Sequence, residues 1–172
     1  MPRVNPPVSA DERTMLISWL DFHREVLAEK CAGLTPQQLA LRSVPPSQLS
    51  LLGLVRHMAE VESGWFVRRL AGIDAPAIFV TEADEDADFH LPDVGAGEFA
   101  ALVDEAFTAW RAQIARADEI LAAVPSLDQT FVHERTGPMS VRWLMVHMVE
   151  EYARHNGHAD LLRELVDGSV GW

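Results

Sequence analysis

HMVEEYARHNGHADLL, residues 147–162, sets three histidines and two adjacent glutamates inside an apolar helical repeat. Steps of four and three along this segment pick out Leu144, Met148, Glu151, His155, His158, Leu162 and Leu165 as one seam of a helix. The ends of that seam are aliphatic and its centre is a carboxylate with two imidazoles. Burying such groups without partners costs several kcal/mol, on the order of 2–7 for a neutral polar group. The seam therefore asks for a compensating partner on a facing element.

Working outward, three more long amphipathic helices are legible. Ser9–Ala10–Asp11–Glu12 reads as a capping box, opening a first helix from about Ala10 to Cys31. Its apolar positions are Met15, Leu16, Trp19, Leu20, Val26 and Leu27, and Gly33 ends it. Thr35–Pro36 starts a short helix, and SVPPSQLS is a linker. Ser50 caps a second long helix, LLGLVRHMAEVESGWFVRRLAGI, to about Leu70. A third runs from about Glu98 to Val124, with Phe99, Leu102, Val103, Ala106, Trp110, Ala117 and Leu121 on one side and Pro125 as its stop. SLDQTFVHERTGP is a loop with a short extended piece at Gln129–His133. Ser140 caps the fourth long helix to about Val166, before Gly168. The expected fold is all-α, a four-helix bundle of one domain over residues 1–172, with residues 1–8 flexible and a long irregular loop at 73–97 between helices two and three. Such a loop is a crossover or an active-site lid.

Composition narrows the function classes. The chain carries net charge −12, which disfavours nucleic-acid and anionic-membrane partners. No apolar run approaches the ~20 residues that span a bilayer, and no leader sequence is evident, so a cytoplasmic location is expected. Cys31 is the single cysteine and reads as a packing residue. The stretch TEADEDADFHLPD begins like a calcium loop at Asp84, Asp86 and Asp88. Phe89 stands where glycine is required and Gly95 where a bidentate glutamate is required, so calcium is rejected.

Helix two holds the facing oddity. Its stripe Leu54, His57, Val61 places one histidine among aliphatics. Glu151 and His155, four apart, share a face about one turn apart. His57, Glu151 and His155 are candidate ligands of a divalent metal, three donors from two helices that leave positions open. A hydrogen-bonded polar cluster is the competing reading. His158 is a fourth ligand, a proton carrier or a group that positions a ligand. His147 and His90 read as surface residues, and His23 as a core or pocket-wall residue. Trp65, Trp110 and Trp143 read as core, with a pocket wall as the alternative.

LLGLVRHMAEVESGWF followed about 90 residues later by HMVEEYARHNGHADLLRE resembles the DinB-like superfamily. The resemblance is closest to its branch of uncharacterised "mini-circle" proteins of unknown function, with Tyr152, Asn156–Gly157–His158 and Asp160 in the second motif. It covers nearly the whole chain. Mycothiol-dependent maleylpyruvate isomerase and the bacillithiol and mycothiol S-transferases are relatives. The resemblance implies a DinB-like four-helix bundle with a divalent metal, zinc or nickel, held by a histidine of helix two and two side chains of helix four. His57 and His155 match histidine positions. Glu151 stands where many members have histidine; in this the chain is similar to the isomerase, whose helix-four ligands are a glutamate and a histidine. The implied activity is a thiol-dependent, mycothiol-type S-transfer or related detoxification, in which the metal activates a small thiol toward an electrophilic substrate. His158 or His133 would move protons, and Arg56, Arg142 or Arg154 would meet anionic groups unless they are solvated surface charges. A metal-dependent hydrolase, with Glu150 or His158 as base, and a non-catalytic metal-binding stress or scaffold protein are the alternatives. A homodimer is in keeping with the resemblance, and no interface is legible.

Overall fold

Ser50, Asp11 and Ser140 each accept a backbone N–H in the first turn of a long helix, which fixes three helix starts by side-chain capping. In the computed structural model, which describes residues 4–95 and 97–170, the elements are α1 (Glu12–Cys31), α2 (Pro36–Leu39), α3 (Leu51–Glu62), α4 (Phe99–Ala123), β1 (Thr130–His133), β2 (Gly137–Ser140) and α5 (Val141–Asp167). The chain is predominantly helical. Among the described residues no helix is long and apolar enough to cross a membrane. Of the N-terminal residues expected to be flexible, 1–3 lie outside the described residues, as does Ala96 of the expected loop. Val4 donates its N–H to Glu25.

α1 begins two residues later than expected, at Glu12. The cap is Asp11, whose carboxylate accepts both the Thr14 N–H at 3.1 Å and the Thr14 hydroxyl at 2.6 Å. An anion at the first turn also meets the positive end of the helix dipole, which favours Asp11 over Ser9. α5 ends at Gly168, whose φ of 77° is open to glycine and strained for a residue with a Cβ.

α1 packs on α5, and α3 on α4, with further contacts from α3 to α5 and α1. α3 is buried nearly all round, because Leu51, Leu52, Leu54, Val55, Met58 and Ala59 point to different neighbours. Apolar positions of the helical repeats in α1 and α5 lie outside the core. Trp19 is 41% exposed and packs edge-on against Phe22. Leu165 is 60% exposed, one turn beyond Leu162, where the strict seam has drifted off the buried arc. The expected extended piece at Gln129–His133 is a strand over Thr130–His133, which pairs antiparallel with Gly137–Ser140.

α3 does not simply continue to Leu70. Ser63–Leu70 winds on in the wider π form, with the Ala71 N–H donating to the Phe66 carbonyl five residues back at 3.0 Å. The change of winding begins at Ser63–Gly64, a pair with weak α preference. It rotates the following side chains away from the phase an α-helix would give.

The core contains one polar chain that touches every long helix. Glu62, fully buried at the end of α3, accepts two hydrogen bonds from the Arg24 guanidinium of α1 at 2.8 and 2.9 Å. It also accepts the Tyr152 hydroxyl of α5 at 2.8 Å, and the Trp110 indole of α4 donates to that hydroxyl at 2.8 Å. Arg24 reaches Asp21 and Asp118 as well. Burial, with Glu62 beside it, pushes the Tyr152 phenol well above its ordinary range and keeps it a donor.

Glu62→Ala should destabilise the fold by about 3 kcal/mol, because it leaves the buried Nε and Nη2 of Arg24 and the Tyr152 hydroxyl without their acceptor. Tyr152→Phe should cost about 1–3 kcal/mol through lost hydrogen bonds. Urea titrations of the variants beside wild type measure both. Cys31 is buried, and burial pushes its thiol up to about 12. Iodoacetamide at mildly alkaline pH should therefore leave native protein unlabelled and alkylate the urea-unfolded chain, read by intact mass.

Candidate metal centre and adjoining cleft

His57 lies in the middle of α3, and Glu151 and His155 lie one turn apart on α5. One donor atom from each falls within 4.8 Å of the other two. The expected trio is therefore brought together. Glu151 Oε2 stands 3.4 Å from His155 Nε2, and the His57 and His155 rings meet edge-on at 4.6 Å. Ligands of one ion with bonds of about 2.0–2.2 Å stand roughly 3–4 Å apart, so a small closing movement suffices.

The surroundings of each imidazole suit a ligand. His57 Nδ1 stands 2.8 Å from Asp88 Oδ2. A carboxylate only accepts, so Nδ1 carries the hydrogen and a neutral ring leaves Nε2 with its lone pair free. Asp88 is itself buried, and its other oxygen accepts the Phe89 N–H at 2.9 Å. His155 is buried, and burial, reinforced by His57 and His158, pushes its imidazole down to about 3. It is thus neutral at physiological pH, as a metal donor must be. His158 Nδ1 stands 3.4 Å from His155 Nδ1, on the side of the ring away from Glu151, and is outside the donor trio.

The connector between α3 and α4 closes one side of this centre. Phe89 stacks on His57 at 4.4 Å. Glu60 on α3 gathers the backbone N–H groups of Ile78, Phe79 and Val80, and Arg56 donates to the Ala87 carbonyl at 3.0 Å. Gly53 admits the connector closely, since a Cβ there would lie 3.4 Å from Phe89 Cα. Asp84 pairs with His90 within the connector, leaving Asp88 as the acid turned inward.

Several expected roles change. His147 is half-buried, not a surface residue: its ring stacks on Trp143 at 4.9 Å and meets Trp65 edge-on at 4.7 Å. Its Nε2 lies 3.7 Å from Glu151 Oε1, and His147, Glu150 and Glu151 form a second group of donors. Trp110 is core, whereas Trp65 and Trp143 line a cleft of about 840 Å³ with His133 and His147. Arg142 pairs with Glu12 and Asp128, Arg154 with Glu150, and Arg56 with the connector. None of the three arginines singled out in the sequence faces the cleft; Arg68, Arg69 and Arg135 do. His23 is half-buried against Asn156, in keeping with a wall position. Neither Asp88 nor the cleft arginines carries a sequence signal, because each acts across a loop or a change of helical winding.

Removing the orienting carboxylate should be visible in the ring it orients. In wild type the ¹⁵N shifts of His57 should report one tautomer, protonated at Nδ1, and Asp88→Ala should give a mixture. An unchanged tautomer in the variant would sink this account of Asp88.

The sequence profile of the family described as mycothiol-S-transferase matches residues 15–168. Among curated proteins the sequence finds no significant match. A crystal structure described as a conserved protein from Enterococcus faecalis superposes with a TM-score of 0.66 at 19% identity, covering 94% of this chain and 100% of that one, a likeness of fold. With its family profile spanning nearly all of the described helical architecture, the chain belongs to the mycothiol S-transferase family of DinB-like proteins.

Proposed function

We propose that this protein is a single-domain DinB-type four-helix bundle that binds one divalent metal, zinc or nickel, and transfers a mycothiol-type thiol to an electrophilic small molecule. The observation that carries the reading is the meeting of His57, Glu151 and His155 donors from two helices beside an open cleft. Family membership supplies the thiol and the electrophile as the substrate classes. Two imidazole nitrogens and a carboxylate oxygen suit zinc or nickel, and three protein donors leave room for a further ligand.

When bound, the metal lowers the pKa of a coordinated thiol and so supplies a nucleophilic sulfur at neutral pH. The chain's own groups do the rest. Asp88 fixes the His57 tautomer and so aims Nε2 at the centre. His158 meets the rear nitrogen of His155, which gives it a positioning role in preference to proton transfer. His147 stands between Glu151 and the cleft and is the group that could pass a proton toward it. Phe89 and Asp88 exclude water from one side of the centre. The hydrolase alternative is weaker, because Glu150 is held by Arg154 and does not point its carboxylate freely at a water.

Elemental analysis of purified wild type should find close to one zinc or nickel per chain, and His155→Ala should lose it. Asp88→Asn should keep the fold and weaken metal binding about 10–100-fold. With mycothiol present, metal-loaded wild type should consume electrophiles that His155→Ala does not. Equal metal content in wild type and His155→Ala would falsify the assignment.

A further inference from the structure

The cleft beside the metal centre is electropositive in an otherwise acidic protein. It takes in the guanidiniums of Arg68, Arg69 and Arg135 against one carboxylate, that of Glu134, while the chain as a whole carries −12. Arg68 is occupied, donating to Glu60, Ser63 and the Pro76 carbonyl. Arg69 and Arg135 are not: among the described residues neither guanidinium has a carboxylate within ion-pair distance. Arg69 instead lies over the Trp65 ring, 4.7 Å from its centroid. Gly64 makes that position possible, since a Cβ there would approach Arg69 Nη1 to 2.9 Å.

The same walls are flat and apolar. Trp65 stacks on His133 at 5.6 Å, and Trp143 on His147 at 4.9 Å, so planar rings run from the rim to the Glu151 side. Two apolar cleft residues remain uncovered, Trp143 at 46% and Val132 at 75% exposure. Exposed apolar surface next to unpaired guanidinium donors suits one chemistry: a planar apolar body with an anionic end. The volume, about 840 Å³, is within the range of small-molecule sites.

We infer that this cleft binds a planar, unsaturated or aromatic carboxylate, its anionic group on Arg69 and Arg135 and its flat body along Trp65 and Trp143. Resting on the thiol-transfer reading, this compound is the electrophilic co-substrate, held so that its far end reaches His147 and the neighbouring Glu151. Specificity for an anion then comes from the π-wound Ser63–Leu70 and the β1–β2 turn, and the thiol's activation from the trio of donors.

The test is calorimetric binding of 2-naphthoate, 2-naphthylmethanol and a naphthyl ammonium to metal-stripped wild type, Arg69→Met, Arg69→Lys and Arg135→Met. Naphthoate should bind saturably, and the neutral and cationic analogues at least about tenfold more weakly, as expected for loss of a charge-assisted contact. Arg69→Met should lose about tenfold or more, Arg135→Met less, and Arg69→Lys should recover part of the loss. Arg69 is exposed, so the variants should melt like wild type, which circular dichroism checks. Equal affinity for naphthoate and the alcohol, no saturable naphthoate binding, or unchanged affinity in Arg69→Met overturns the inference. Because the protein is metal-free, naphthoate binding without any metal uptake would defeat only the thiol-transfer reading, and metal uptake without naphthoate binding would defeat only the cleft.

Discussion

Glu62 holds the helices in their mutual places. Its carboxylate has no solvent and depends wholly on Arg24 and Tyr152, and Tyr152 in turn takes the Trp110 indole. These four residues come from α1, α3, α4 and α5. Aliphatic packing alone tolerates small slides of one helix along another, whereas charge-assisted hydrogen bonds have a narrow range of good distances and angles. A buried ion pair is weak evidence for net stability but defines register where every partner is satisfied. Tyr152 sits between Glu151 and His155 in sequence, so the register it sets for α5 also sets where the polar seam meets His57.

Two carboxylates of different origin stand at the candidate metal centre. Glu151 comes from a helix and faces His155 directly, 3.4 Å away. Asp88 comes from the connector and works through His57. The connector is held by Glu60 and Arg56 of the same α3 that presents His57. One helix therefore presents His57 and ties down the segment that orients it, and the π-wound Ser63–Leu70 that follows it turns Arg69 and Trp65 toward the cleft.

Legibility in the sequence followed the range of the interaction. The capped helices and the Glu151/His155 pair rest on spacings of three and four residues, which a periodic pattern records directly. His57 was legible because a lone imidazole interrupts an aliphatic stripe. Arg24 and Glu62 are 38 residues apart and look like ordinary helix charges until the helices are packed. Asp88 lies inside an acidic run with calcium-loop spacing, and nothing in that spacing marks it as the carboxylate that meets His57. The cleft arginines Arg68 and Arg69 are illegible for a different reason. Beyond Ser63 the winding widens, so projecting α-helical phase onto Arg68 and Arg69 puts them on the wrong side. Asp11 in place of Ser9 as the cap shows the smaller error typical of helix ends.

The widened winding of Ser63–Leu70 has a consequence for how this scaffold can diversify. Each residue there turns through a smaller angle than in the rest of the rod, so one added or deleted residue would swing Trp65, Arg68 and Arg69 to new azimuths while His57, upstream, stayed where it is. The two halves of the rod are in that sense mechanically decoupled: the half that carries His57 is locked by its neighbours, and the half that carries Trp65 and Arg69 can be re-indexed.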